Sequence, residues 1–174
     1  MAAIALMALM LVAPSVQAQP YPHKPIRLLV GFTPGGAADT SARAISRKMG
    51  EAMRTTFVVE NRAGAGGNIA AEIVSNANPD GYTLFWGSVG PLSVSAALGV
   101  KLPYDVFTGF APVGLAVTSC NVLATRAVAK FENLADVIAQ TRARPGKVNY
   151  ASQGTGSTGH LAGELLRSLT AIDV

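Results

Sequence analysis

The stretch that decides the fold is IRLLVGFTPGGAADTSARAISRKMGEAM, residues 26–53. Its first five residues, Ile26–Val30, form a short apolar run that is typical of a buried strand. A Pro-Gly-Gly turn follows, and the next residues repeat their apolar side chains at helical spacing. The stretch therefore predicts a strand, a glycine-rich turn and a helix Thr40–Met53, whose apolar face carries Ala42, Ile45, Met49 and Met53.

The same alternation of strand-like and helix-like segments continues along the chain. Further strands are predicted at Phe57–Glu60, Tyr82–Trp86, Val113–Ser119, Val122–Thr125 and Lys147–Ser152. Further helices are predicted at Asn68–Asn76, Leu134–Arg142 and Gly159–Leu169, and Asn133 is the expected N-cap of the second. Strands that alternate with helices at this spacing predict an α/β fold, with a mostly parallel sheet flanked by helices.

The first 18 residues, MAAIALMALMLVAPSVQA, have the pattern of a secretory signal peptide. An uncharged apolar run covers residues 2–13. The small residues Val16 and Ala18 occupy the two positions before the cleavage site that signal peptidase recognises. The run is shorter than the roughly 20 apolar residues that span a membrane. We expect cleavage after Ala18 and a periplasmic location. The usual basic start is missing, so an uncleaved anchor and a core helix remain as alternatives.

Composition excludes several classes of function. Hydrophobic residues make up 49% of the chain, which excludes a disordered protein. Cys120 is the only cysteine and the histidines, His23 and His160, are far apart in sequence, so neither an internal disulfide nor a metal site is expected. The basic residues are scattered and not interleaved with aromatic residues, so no nucleic-acid partner is expected. We expect no cofactor.

Three turns rich in glycine or serine follow predicted strands: GFTPGGAAD, GSVGP and SQGTGSTGH. In a parallel α/β sheet, ligands bind outside the carboxyl ends of the strands. Backbone N–H groups at a helix start and nearby hydroxyls suit an anion such as a carboxylate. The candidate ligand-binding residues are Thr33, Pro34, Gly35, Gly36, Asp39, Ser88, Ser152, Gly154, Thr155, Gly156, Ser157 and His160.

Two of these residues have two interpretations each. Asp39 is either a helix cap and dipole partner or a direct contact to the ligand. His160 is either a packed or capping residue or a hydrogen-bond partner of the ligand. In the run ENRAGAGG, residues 60–67, the first three residues, Glu60, Asn61 and Arg62, either form the turn and cap a helix or reach the ligand cleft, and the structural roles are favoured. Gly64, Gly66 and Gly67 are expected to shape the turn.

The run from Gly154 to Gly159 also fits the dinucleotide pattern G-x-G-x-x-G. That pattern belongs on the first strand–helix turn, with an acidic residue about 20 positions later. Here the run follows the last predicted strand, so a nucleotide-binding enzyme is the weaker hypothesis. Ser157 lacks the G-x-S-x-G context of a nucleophile, and paired carboxylates are missing, so no catalytic residue is expected.

Three motifs in order resemble those of one receptor family: YPHKPIRLLVGFTPGGAADTSARAISRKM, VVENRAGAGGNIAAEIVSNANPDGYTLFWG and KVNYASQGTGSTGHLAGELL. The chain is similar to the solute receptors of tripartite tricarboxylate transporters, the Bug-type extracytoplasmic binding proteins. The resemblance implies a periplasmic-binding-protein-like lobe at residues 19–174. The turns 33–39 and 152–160 would hold a ligand carboxylate, and a membrane permease would receive the ligand.

The resemblance also carries two further expectations. Members of the family continue into a second lobe, so residues 19–174 are expected to be the first lobe, with the second lobe absent. A sensory receptor can share a binding fold with a transport receptor, so a ligand-sensing lobe in signalling stays open as an alternative.

Overall fold

The computed structural model describes residues 20–129 and 131–174. The predicted signal peptide, residues 1–18, lies outside the described residues. The three strands are β1 (Ile26–Val30), β2 (Phe57–Asn61) and β3 (Thr83–Trp86). The helices are α1 (Ala37–Met53), α2 (Asn68–Ser75), the short α3 (Ser95–Ala97), α4 (Leu134–Ala143) and α5 (Thr158–Thr170). A π-helical turn, Gly90–Val94, leads into α3.

The three strands form one parallel sheet in the order β2-β1-β3. The central strand β1 pairs with β2 from Ile26 opposite Phe57, and with β3 from Arg27 opposite Thr83. Because β1 is covered on both sides, Leu29 and Val30 are completely buried. A strand buried on both faces reads as a continuous apolar run, which is what the sequence shows.

The helices cover opposite faces of this sheet. Helix α1 packs against β1 and β2, whereas α2 packs against β1 and β3. Right-handed crossovers require this, because the chain moves from β1 to one neighbour and then back across to the other. The core on the α1 face contains Leu28, Val30 and Ala42, with Trp86 packed against it.

The chain leaves the carboxyl ends of β1 and β3 toward opposite faces. The segment after β1 enters α1, and the π-helical turn after β3 contacts α2. Such a reversal is a topological switch point, where open α/β sheets bind their ligands. The predicted turns after β1 and β3 therefore lie on either side of this switch point.

Helices α4 and α5 match their predicted bounds to within one residue at each end. The predicted N-cap is confirmed, since the Asn133 side chain accepts a hydrogen bond from the Asp136 N–H at 3.0 Å. Within residues 20–129 and 131–174, no helix combines the length and apolar character needed to cross a membrane.

Three predicted strands are wrong: Val113–Ser119, Val122–Thr125 and Lys147–Ser152 have no strand structure. A strand needs a neighbour for its backbone hydrogen bonds, and the described residues supply none to these segments. Val113 and Leu115 are 86% and 84% exposed. Their alternating apolar pattern therefore lacks the packing surface that would make it a strand.

The central position of β1 leads to a stability prediction. We expect Leu29→Ala to lower the free energy of unfolding by about 2–5 kcal/mol, because it leaves a cavity in a fully buried site. Leu169→Ala is the matched control, because that leucine is 76% exposed on α5 and its loss should change stability by less than about 0.5 kcal/mol. Urea unfolding of both variants measures the difference. Equal effects would contradict the assignment of β1 as the centre of the core.

Candidate functional site

Four turns meet at the carboxyl edge of the sheet, and we number them along the chain. Turn 1 is residues 31–39, turn 2 is 62–68, turn 3 is 87–91 and turn 4 is 152–160. The structure brings together the three predicted turns, 1, 3 and 4, and adds turn 2 between them. Glycine backbones of these turns approach one another closely.

Gly90 in turn 3 marks the centre of the convergence. A Cβ atom on Gly90 would lie 3.0 Å from the carbonyl oxygen of Gly66 and 3.3 Å from that of Gly156. Both distances are tighter than ordinary van der Waals contact, and both neighbours are backbone atoms that cannot swing aside. Turn 3 thus contacts turns 2 and 4 at a position where any side chain would require these backbones to shift by a few tenths of an ångström.

Gly31 makes the equivalent contact between turns 1 and 2. A Cβ atom on Gly31 would lie 2.8 Å from the Gly67 Cα atom. Turn 2 also reaches turn 4, because a Cβ atom on Gly66 would lie 3.0 Å from the Thr155 carbonyl oxygen. Turn 2 is therefore the common neighbour of the other three turns.

Asp39 is the centre of the hydrogen bonds that hold turn 1. Its carboxylate accepts hydrogen bonds from Gly35 N–H at 2.9 Å, from Arg43 Nε at 2.9 Å and from Asn61 Nδ2 at 3.0 Å. The residue is only 3% exposed. The Arg43 guanidinium, the Gly35 N–H and the Asn61 amide lower the pKa of Asp39 to about 2. Of the two interpretations of Asp39, the geometry favours the structural one, because its oxygens are taken up within the protein.

The start of α1 has backbone donors without a capping side chain. The N-cap is Gly36, and no side chain accepts from the first turn of the helix at this position. The predicted residues Thr33, Pro34, Gly35 and Gly36 are all exposed. A Cβ atom on Gly35 would meet no atom within 4 Å, so the space in front of the turn is open. Free N–H groups beside open space can bind an anion.

Turn 4 is held by its own polar groups. The Ser157 hydroxyl accepts from the His160 N–H at 3.2 Å and caps α5, while the Gly156 N–H donates to His160 Nδ1 at 3.3 Å. The Ser152 hydroxyl accepts from the Gly154 N–H at 3.4 Å. Of the two interpretations of His160, the geometry favours the capping one. Gly156 and Ser157 are buried, whereas Ser152, Gly154 and Thr155 are exposed.

Ser88 lies in turn 3, two residues before Gly90. Its hydroxyl oxygen is the one buried side-chain oxygen or nitrogen among the described residues that has no hydrogen-bond partner. Burying a hydroxyl without a partner is unfavourable, so such an atom calls for an explanation. Turn 3 thus contains a buried polar group whose hydrogen bond is not made within the described part of the chain.

The sequence predicts mainly structural roles for turn 2, and the structure places it in contact with the three turns that carry the candidate residues. Its last residue, Asn68, begins α2 and hydrogen-bonds to the Ser95 hydroxyl at 3.2 Å. The phenol of Tyr104 lies 2.9 Å from both the Asn68 side-chain oxygen and the Pro91 carbonyl oxygen. These bonds tie turn 2 to turn 3. The run of three glycines was the available signal, but spacing alone does not identify which backbones they contact.

The site is an open edge rather than an enclosed cavity. Two shallow depressions, of about 550 and 680 Å³, lie elsewhere on the described surface, beside Arg43 and Arg47 on α1 and beside Arg144 before turn 4. Neither is lined by a predicted ligand-binding residue, and neither has the buried, unpartnered polar atom that turn 3 offers. Within the described part of the chain, no three His, Cys, Asp or Glu side chains come together as a metal ion would require.

Comparison with known sequences gives an independent result. A family model described as a tripartite tricarboxylate transporter family receptor matches residues 41–174. Protein BugT of Bordetella pertussis is 39% identical over 166 residues, which cover 94% of this chain and 51% of that protein. The chain spans about half the length of this relative.

Two solved structures have a similar fold over most of the chain. The R. palustris protein Rpa4515, solved with adipate, is 34% identical with a TM-score of 0.86, and the match covers 89% of this chain and 52% of that one. MatC from Rhodopseudomonas palustris, solved with bound malate, is 30% identical with a TM-score of 0.76 over 88% of this chain and 52% of that one. The predicted α/β lobe of a periplasmic binding protein is confirmed.

The lowered pKa of Asp39 predicts a pH dependence of stability. Its carboxylate stabilises the fold fully above its ordinary pKa near 3.8, and this contribution is lost as the pH falls through about 2. We expect Asp39→Asn to lower the urea midpoint at pH 6, and we expect the gap from the wild type to narrow below pH 4. Glu51→Gln, at a carboxylate exposed to solvent on α1, is the control. A gap that stays constant from pH 6 to pH 2 would contradict this role for Asp39.

Proposed function

Because this chain belongs to the tripartite tricarboxylate transporter receptor family, we propose that it binds a small carboxylate at the four-turn site. Binding, rather than catalysis, is the proposed activity. The observation that carries the proposal is the unpartnered, buried hydroxyl of Ser88 at the place where four glycine-rich turns converge.

The similar structures support the ligand class. Adipate accompanies one of them and malate the other. Both molecules are dicarboxylates that differ in chain length and substitution, so their common feature is a terminal carboxylate. A site built from backbone N–H groups recognises that carboxylate without reading the rest of the molecule. We therefore assign the carboxylate class to this chain and leave the individual acid open.

The donors at the site suit such a ligand. The uncapped first turn of α1 offers N–H groups, and the helix dipole adds a partial positive charge at the same place. The Asp39 charge would repel a carboxylate, but Arg43 forms an ion pair with it at 2.9 Å. The Ser88 hydroxyl is available as a further donor. A carboxylate has two oxygens, which can accept from several of these groups at once.

The proposal extends to the place of the protein in transport. Residues 19–174 would form one lobe of a two-lobed receptor, and residues 1–18 would direct export to the periplasm and be removed. The loaded receptor would deliver its ligand to membrane permease subunits. The family description, which names a transporter receptor, supports this assignment.

The direct test is a comparison of charged and neutral forms of the same molecule. We expect calorimetry on the 174-residue chain to detect binding of malate or adipate, and to detect none of dimethyl adipate, which lacks the carboxylates. NAD is titrated in the same way, because the run from Gly154 to Gly159 fits the dinucleotide-binding pattern G-x-G-x-x-G. Saturable binding of NAD without binding of either acid would replace the proposal with a nucleotide site.

Ser88 provides a more specific prediction. Ser88→Ala should reduce the affinity for whichever of the two acids binds by about 10- to 150-fold, since a hydrogen bond to a charged group is worth about 1.5–3 kcal/mol. The free energy of unfolding of the unliganded chain should not fall, because the hydroxyl has no partner to lose.

Ser41→Ala is the matched control for Ser88→Ala. The Ser41 hydroxyl donates to the Ala37 carbonyl within α1 at 2.6 Å, and its loss should leave the affinity for the acid unchanged. Calorimetry and urea unfolding on both variants separate binding from stability. Wild-type affinity in the Ser88 variant would remove this hydroxyl from the site.

A further inference from the structure

Turns 1 and 4 share one backbone geometry although their sequences differ. Gly35 and Gly156 have φ values of 83° and 81°, in the left-handed region. Each glycine precedes an extended N-cap, Gly36 at φ −75° and ψ 171°, and Ser157 at φ −72° and ψ 162°. Each N-cap begins one of the long helices, α1 or α5.

The same hydrogen bond closes both turns. In turn 1, the Gly35 N–H donates to the carboxylate of Asp39 at 2.9 Å. In turn 4, the Gly156 N–H donates to Nδ1 of His160 at 3.3 Å. Asp39 and His160 are each the third residue of their helix, four residues after the glycine that they bind. An acidic side chain and a neutral imidazole thus make equivalent contacts.

This hydrogen bond fixes the direction of the helix start. A glycine with positive φ has many alternative conformations, and the bond to the side chain selects one of them. With the glycine N–H occupied, the first-turn N–H groups of α1 have no capping side chain, whereas at α5 the Ser157 hydroxyl accepts from the His160 N–H. Both turns also lie against turn 2, since Gly31 of turn 1 approaches Gly67 and Thr155 of turn 4 approaches Gly66.

We propose that Asp39 and His160 are matched positioning residues of the carboxylate site, each acting through the glycine N–H that it binds rather than by touching the ligand. The proposal rests on the proposed function for its ligand, but the lock itself exists in the unliganded chain. It assigns the same positioning role to Asp39 in turn 1 and to His160 in turn 4.

The two locks respond differently to pH. Asp39 is an acceptor throughout the neutral range, since Arg43, Gly35 and Asn61 hold its pKa at about 2. His160 Nδ1 accepts only while the imidazole is neutral, because protonation places a hydrogen on Nδ1 that faces the Gly156 N–H. Acid should therefore release turn 4 and leave turn 1 closed.

The titratable and charged groups beside the His160 ring lie on α5 and on the segment before turn 4. On its own helix, Glu164 Oε1 lies 3.9 Å from Nε2, and Arg167 pairs with the same carboxylate at 3.4 Å. From the segment before turn 4, the Tyr150 hydroxyl donates to Glu164 at 3.3 Å. The neutral imidazole thus carries its proton on Nε2, toward a carboxylate, and keeps Nδ1 free to accept.

The lock is tested without any ligand by NMR on the 15N-labelled 174-residue chain. As acid protonates the His160 ring, followed by the ring's own resonances, the Gly156 amide shift should change with the same midpoint, and its protection from exchange should fall at least tenfold. The Gly35 amide should stay constant through the same titration. In His160→Asn, which places a non-titrating oxygen near the Nδ1 position, the Gly156 amide should no longer titrate. A Gly156 amide that stays constant in the wild type, or that still titrates in the Asn variant, would overturn the lock.

Binding then tests whether the lock positions the site. His160→Phe, which keeps a ring but no acceptor, should bind malate or adipate at least tenfold more weakly than His160→Asn at pH 8. Wild-type affinity should fall at least tenfold relative to His160→Asn once the ring resonances show that the imidazole is protonated, a comparison that cancels the protonation of the acid itself. Equal affinities of the two variants would overturn the positioning role.

The two proposals fail in different ways. If the wild-type chain binds neither acid at pH 8 while Gly156 titrates with the ring, the proposed function fails and the lock stands. If the acids bind with full affinity while the Gly156 amide stays constant, the lock fails and the proposed function stands.

Discussion

The site depends on one constraint, which is the contact of glycine backbones at the carboxyl edge of the sheet. A Cβ atom at Gly31 would overlap the backbone of turn 2, and one at Gly90 would lie unusually close to it. These contacts are possible because β1 is central and fully buried, which fixes where turn 1 begins. The sheet positions the turns, and the glycines let the backbones of turns 1, 3 and 4 approach turn 2.

Much of this could be predicted from the sequence. The apolar run of β1, the helical spacing after it and the Asn133 cap are local signals, and local signals survive in the structure. The strands predicted at Val113–Ser119 and Lys147–Ser152 depended on neighbours far away in sequence, and pattern alone cannot supply those. The role of turn 2 was missed for the same reason, since a glycine does not reveal which backbone it approaches.

The equivalent hydrogen bonds of Asp39 and His160 could not be predicted from the sequence either. Neither residue type nor local motif relates them, because one is an acid after Pro-Gly-Gly and the other an imidazole after Gly-Ser-Thr-Gly. Their common position appears only when the φ values of Gly35 and Gly156 and the hydrogen bonds of both turns are compared. Within the G-x-G-x-x-G run, Gly156 has the positive φ of turn 4, and the His160 side chain accepts a hydrogen bond from its N–H.

The central claim is that a carboxylate binds where the four turns converge. The most direct measurement is the map of backbone amide shifts when adipate is added to the 15N-labelled chain. We expect the perturbed amides to lie in all four turns, at residues 35–39, 66–70, 88–90 and 154–158. Perturbations confined to the depression beside Arg43 and Arg47, with these four groups unchanged, would contradict it.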